Sequence, residues 1–183
     1  MTPQPARPRG RIVPASSDRL SFRMILPADA DFMLGLMNDP DYHRFIGDRG
    51  LKTVEDARRY IRENITPHHT RHGFGLWLAS TAEGKPVGIA GLLKRDLLDA
   101  PDIGYALLAE ARGAGYGREA AEVMLKHAFG VLAVECLFAI TNPENVPSNG
   151  LLARLGFSVI DRTFRMTPDA DPSCLHKLKR PDV

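Results

Sequence analysis

The chain has 183 residues, 44% of them hydrophobic and 25% charged, with 24 Lys and Arg against 22 Asp and Glu for a formal net charge of +2. That length suits one domain with its own core, and the composition excludes wholesale disorder, a collagen-like fibre and a disulfide scaffold. The near-neutral balance argues against nucleic acid as a partner, and the two cysteines, Cys136 and Cys174, stand far apart without metal-ligand spacing, as expected of a reducing cytoplasm.

No run approaches the ~18 apolar residues that a membrane-spanning helix needs, so no membrane partner is expected. Residues 1–17 read as a flexible basic leader, broken by Pro3, Pro5, Pro8 and Pro14 and charged by Arg7, Arg9 and Arg11; residues 18–183 read as a single domain. Leu20, Phe22, Met24 and Leu26 alternate with polar positions, the period-two pattern of a first strand that Pro27 stops. Asp29 or Asp31 then caps a short helix carrying Phe32, Leu34, Leu36 and Met37, closed by the Asn38-Asp39-Pro40 breaker. A loop leads to Thr53-Val54-Glu55-Asp56, a capping box with Asp in place of Glu. The helix it opens has Val54, Ala57, Ile61 and Ile65 at helical spacing, and Pro67 ends it. His68, His69 and His72 follow in a loop, where their spacing reads as exposed polarity rather than a metal site.

The centre is rich in strands. Phe74 to Ser80 and Val87 to Leu93 form a hairpin around the Glu83-Gly84-Lys85 turn, and Asp99-Ala100-Pro101-Asp102 turns the chain into Ile103 to Leu108. The period then changes: Ala120, Val123, Met124, His127 and Ala128 share one helix face. Val134 to Ile140 returns to strand and Asn145 to Leu155 to helix, with Ser148 as N-cap and Gly156 at the C′ position. Phe157 to Thr163 and Cys174 to Leu178 are the last strands. The order β-α-α-β-β-β-α-β-α-β-β describes one α+β domain on a mixed sheet. Trp77 and Cys136, both inside strands, read as core residues.

Chemistry concentrates in Arg112-Gly113-Ala114-Gly115-Tyr116-Gly117-Arg118, directly before the amphipathic helix. Glycines let backbone N–H groups converge on one anion, and the helix behind adds unpaired N–H groups and its positive dipole end, which together make a pyrophosphate cradle. Arg112 and Arg118 can supplement it. A Walker A loop needs Gly-Lys-Ser/Thr where this chain has Gly-Arg-Glu, and fails. A dinucleotide fingerprint finds its acidic residue in Glu135, but the glycine spacing is wrong and the antiparallel hairpins do not suit a doubly wound sheet. The third pattern, Gln/Arg-x-x-Gly-x-Gly, is met by Arg112, Gly115 and Gly117.

Around that loop the chain resembles the GNAT superfamily of acyl-CoA N-acyltransferases, in particular the branch that acetylates ribosomal-protein N-termini. The resemblance runs from about Ser17 to Arg162. It is carried by Asp18-Arg19-Leu20-Ser21-Phe22-Arg23, Asp39-Pro40, Gly73-Phe74-Gly75-Leu76-Trp77, Val87-Gly88-Ile89-Ala90-Gly91-Leu92 and Ile103-Gly104-Tyr105. It continues through the glycine loop with Glu119-Ala120, Ala128-Phe129, Asn142, Asn145, Ser148 and Leu155-Gly156-Phe157.

The resemblance implies a mostly antiparallel sheet of about seven strands flanked by about four helices, splayed between the fourth and fifth strands. It implies acetyl-CoA as co-substrate, no metal, and pantetheine lying along the fourth strand against Ala106, Leu107 and Leu108. Gly113, Ala114, Gly115, Tyr116, Gly117 and Arg118 would then take the pyrophosphate, with Asn145 on the cofactor arm. The first two helices and the His68 to Gly73 loop would form the acceptor groove.

In this family the leaving thiolate is often protonated by a tyrosine in a Leu-Tyr-Glu-Lys-x-Gly-Phe run. Here the run is Leu151-Leu152-Ala153-Arg154-Leu155-Gly156-Phe157, so Leu152 replaces it. Ser148, at the serine position of the N-terminal-acetylating branch, is the expected substitute acid, Asp102 the expected base through water, and Tyr105 a secondary candidate. The expected acceptor is a peptide N-terminus or a small amine, and the expected assembly a monomer or homodimer. Two other classes stay open: a non-catalytic CoA-binding module and a nicotinamide oxidoreductase.

Overall fold

The computed structural model describes residues 12–181. One open seven-stranded sheet has the order β1-β2-β3-β4-β5-β7-β6. Its strands are β1 (Leu20–Met24), β2 (Leu76–Thr81), β3 (Pro86–Leu93), β4 (Asp102–Leu107), β5 (Cys136–Thr141), β6 (Ser158–Phe164) and β7 (Ser173–Lys179). Every neighbouring pair is antiparallel except β4 and β5, which run parallel and meet at Asp102 and Phe138. There the Phe138 amide donates to the Pro101 carbonyl at 2.9 Å. Beyond that point the two strands part, so the sheet opens into a V with its apex at Asp102.

The helices are α1 (Ala30–Met37), α2 (Pro40–Phe45), α3 (Val54–Tyr60), α4 (Thr66–His72), α5 (Tyr116–Lys126) and α6 (Val146–Arg154). They cover both faces of the sheet. On one face Trp77, Ala79, Ile103 and Leu137 pack with Ala120, Met124 and Leu152 of α5 and α6. On the other, Leu78 and Ile89 pack with Met33, Leu36, Ala57 and Ile61. Two apolar faces explain why β2 and β3 are hydrophobic almost throughout. Gly91 serves the sheet's closest approach: a Cβ there would lie 2.0 Å from the Gly75 carbonyl oxygen.

Several boundaries depart from the sequence pattern for identifiable reasons. Asp39-Pro40 does not only close α1; it opens α2, because Asp39 accepts from the amides of Asp41 and Tyr42 and Pro40 needs no partner for an N–H it lacks. Asp29 makes no side-chain cap on α1, its carboxylate instead receiving the Leu26 amide at 2.7 Å and Arg23. The capping box at Thr53 and Asp56 forms as expected. Pro67 does not end the helix that follows. A π turn over Ile61–Ile65 re-registers the ladder, with the Thr66 amide donating to Ile61, and Pro67 falls in the first turn of α4. His68, His69 and His72 therefore lie on a helix, not a loop. Residues 1–11 of the expected leader lie outside the described residues, while its last residue, Ser17, donates to Glu119 at 2.7 Å.

Candidate active site

The V between β4 and β5 is lined on one side by β4 and on the other by α6. Tyr105 projects from β4 toward α6, where its phenol and the Ser148 hydroxyl share a hydrogen bond of 2.9 Å. Burial pushes the Tyr105 phenol up, so it remains an O–H donor at neutral pH. Ser148 is not the N-cap of α6. That place belongs to Asn145, whose Oδ1 accepts from the Ser148 amide at 3.2 Å. Capping by Asn145 leaves the Ser148 hydroxyl to face Tyr105. Leu152, where the family resemblance would put a tyrosine, is 1% exposed in the core.

Hydrogen-bond direction corrects the expectation for Ala106 and Leu108. The Leu108 amide donates to Val87 of β3 and its carbonyl accepts from Ala111. In an antiparallel ladder alternate residues face the same neighbour, so Ala106, paired with Ile89, also turns its polar groups to β3. The edge facing the V is formed by Tyr105 and Leu107. The Leu107 carbonyl is already held by Arg112, through Nε at 3.2 Å and Nη2 at 3.1 Å.

Each guanidinium nitrogen of Arg112 has a partner: Nη2 also donates to Asp39 at 2.6 Å and Nη1 to Asp41 at 2.7 Å. Arg118 reaches Glu122 at 2.8 Å and stands largely in solvent. Gly115 is the N-cap of α5 and adopts a left-handed conformation, with φ of 85°. No side chain caps this helix, and the first intrahelical amide to find a partner is that of Glu119, bonded to Gly115. The amides of Tyr116, Gly117 and Arg118 thus form the positive end of an eleven-residue helix at the mouth of the V. That donor set suits a diphosphate. Gly117 brings the turn against β4, since a Cβ there would sit 3.4 Å from Leu107 Cδ1.

Arg19 holds this loop from the far side, and its local sequence gives no sign of the role. Its Nη1 donates to the Ala114 carbonyl at 3.0 Å, its Nε to Glu119 at 2.7 Å, and its guanidinium stacks over Tyr116 at 4.8 Å.

Asp102 lies at the apex but on the opposite face of β4 from Tyr105, because the two positions differ by an odd number of residues. Its carboxylate is 3% exposed and accepts from Arg95 Nε at 2.8 Å. Burial raises its pKa and the Arg95 charge only partly offsets this. The structure thus brings Tyr105 and Ser148 together and sets Asp102 apart from them. The histidines sit beside the same face as Arg95. His69 is buried against Trp77, and His68 accepts from the Lys94 amide at 3.3 Å. Among the described residues no group of three or more His, Cys, Asp or Glu side chains is placed to hold a metal ion, and no helix is long and apolar enough to cross a membrane.

Known proteins share this fold. The chain is 24% identical over 144 residues to the uncharacterized N-acetyltransferase YoaA of Bacillus subtilis (strain 168), covering 77% of this chain and 80% of that one. The fold matches a ribosomal-protein-S5-alanine acetyltransferase from Vibrio fischeri with a TM-score of 0.72 at 20% identity, over 93% of this chain and 98% of the other. It also matches spermidine N-acetyltransferase from Vibrio cholerae in complex with CoA and spermine, with a TM-score of 0.73 at 14% identity, over 90% and 97%. Residues 19–158, which contain the V, the glycine loop and the Tyr105–Ser148 pair, match the acetyltransferase (GNAT) domain, and the chain belongs to that family.

Proposed function

We propose that the protein transfers an acetyl group from acetyl-CoA to a primary amine, either a protein or peptide N-terminus or a small amine. The observation that carries this reading is the uncapped N-terminus of α5 at the mouth of a V whose walls are joined by the Tyr105–Ser148 hydrogen bond. Membership of the acetyltransferase family supports acetyl transfer. The two structural neighbours named above, by their descriptions, act on a ribosomal-protein alanine and on spermidine, both of which offer amines.

Acetyl-CoA supplies an acetyl group activated as a thioester. The amides of residues 116 to 118, with Gly113 to Gly115 turning the chain, hold the diphosphate. The Leu107 amide and the Tyr105 backbone groups face the pantetheine arm, and Asn145 borders it. An N–C bond forms between amine and acetyl as the C–S bond breaks. Ser148 donates its proton to the departing sulfur and is reprotonated from the Tyr105 phenol, which regains its proton from solvent water, so the pair takes over the task of the tyrosine that Leu152 replaces. Asp102, buried on the opposite face of β4 and bonded to Arg95, receives the amine's proton through a chain of water, with burial raising its pKa.

The test is thiol release from acetyl-CoA with a panel of peptide N-termini and small amines, beside CoA binding by calorimetry. Turnover with at least one amine is expected. CoA binding without turnover would identify a binding module, and NADH binding that CoA does not compete with would overturn the coenzyme assignment.

A further inference from the structure

Resting on that reading of the coenzyme site, we propose that Asp39 is a positioning residue for the coenzyme cleft, acting through Arg112. The motif position of Arg112 suggests a phosphate ligand, but its guanidinium is committed elsewhere. Nε and Nη2 hold the Leu107 carbonyl, Nη2 also reaches the Asp39 carboxylate, and Nη1 reaches that of Asp41. Two carboxylates on one guanidinium leave this cluster with a net negative charge beside an anion site. The cluster therefore works by geometry and against electrostatics.

Asp39 is the hinge of that geometry. One carboxylate oxygen, Oδ1, receives Arg112 Nη2 at 2.6 Å, the Asp41 amide at 2.9 Å and the Tyr42 amide at 3.3 Å. It thus fixes the start of α2 and the orientation of Arg112 at once. Arg112 in turn closes the Leu107 carbonyl, so that of the polar groups Leu107 presents to the V only the N–H is open. The far end of α2 is tied to the loop before α6: Arg44 donates to Glu144 at 3.0 Å, and Asn142 donates to the Arg44 carbonyl at 3.4 Å. Helix α2 is a strap between the β4 wall and the loop leading to Asn145 and Ser148, and Asp39 fastens its coenzyme end.

The sign of a charge change separates positioning from electrostatics. Asp39→Asn keeps an N-cap while removing a negative charge near the diphosphate. Calorimetry with CoA is expected to show binding weakened about tenfold, as for loss of one charge-assisted hydrogen bond, and KM for acetyl-CoA to rise similarly with a smaller fall in kcat. Arg112→Gln is expected to match it, and the double variant to lie within about twofold of either, because both break the Asp39–Arg112 contact through which the Leu107 carbonyl is held. Asp41→Asn, which keeps the Asp39 contact, is expected to bind CoA as well as or better than wild type. Asp39→Asn binding as tightly as wild type or more tightly overturns the proposal, as does an Arg112→Gln loss far beyond that of Asp39→Asn. If the wild-type chain does not bind CoA, the coenzyme site itself falls, and this inference with it.

Discussion

The phenol of Tyr105 on β4 and the hydroxyl of Ser148 on α6 lie 2.9 Å apart, the hydrogen bond that joins the two walls of the V. Both groups come from rigid elements, and Asn145 fixes the first turn of α6 by accepting from the Ser148 amide. In the reaction proposed above this pair protonates the leaving sulfur, and the helix position one turn after Ser148 is filled by buried Leu152.

Ser148→Ala should lower kcat about a hundredfold, the lower range for a general acid, while CoA affinity changes less than threefold. Tyr105→Phe should lose less, because Ser148 keeps its own proton and can be resupplied by water. Steady-state kinetics beside calorimetry would check both. Equal losses in turnover and affinity would reduce Ser148 to a structural role.

Gly115 sits at φ of 85°, and a Cβ there would come 3.3 Å from Arg19 Nη2. Gly115→Ala should therefore cost about 1 kcal/mol of stability through the left-handed backbone alone. Gly115→Asp adds a carboxylate at the N-cap that takes the very amides the diphosphate needs. Its CoA affinity should drop at least tenfold below that of Gly115→Ala. Equal affinities in the two variants would remove the loop from the coenzyme site.

Much of this fold can be read from the chain, because most elements obey local rules. The hairpin around Gly84, the capping box at Thr53 and the left-handed Gly156 after α6 are set by neighbours within a few residues. What escaped depends on distant partners. Asp39-Pro40 is both a stop and a start, and only the tertiary contact with Arg112 shows that the start matters. Pro67 reads as a terminator unless a π turn precedes it, and no residue pattern announces one. The glycine turn into α5 was legible, but Arg19, ninety-five residues from the Ala114 carbonyl it holds, was not. That Ala106 and Leu108 turn their polar groups to β3 and not to the splay was not legible either, since which residues face a splayed edge depends on the ladder to β3.

His68 tests how the α4 histidines respond to acid. Its Nε2 accepts from the Lys94 amide, which requires a neutral ring, and burial with neighbouring His72, His69, Arg95 and Arg71 lowers its pKa to about 4. An unfolded chain protonates this ring near the ordinary value of about 6.5. Between those values the unfolded state binds more protons, so stability is full above about pH 6.5 and falls as pH drops toward 4. His68→Gln keeps an acceptor without the titration. Urea midpoints at pH 7.5 and pH 5 should separate less for this variant than for wild type, and an unchanged separation would refute the assignment.

Asp102 offers the sharpest division between a chemical and a structural role. Burial raises its pKa despite Arg95, so between the ordinary carboxylate value and the raised one the folded state binds more protons. Stability from this group is present at low pH and declines as pH rises through that window. Asp102→Asn abolishes that decline and frees Arg95, whose side chain is 30% exposed and can reach water. The variant should therefore melt close to wild type at neutral pH. If Asp102 takes the amine's proton, kcat/KM falls about a hundredfold and the acid limb of its pH profile disappears. If it only anchors Arg95 at the apex, the acid limb persists in the variant and turnover per folded molecule stays near wild type, and the base must be sought elsewhere in the V.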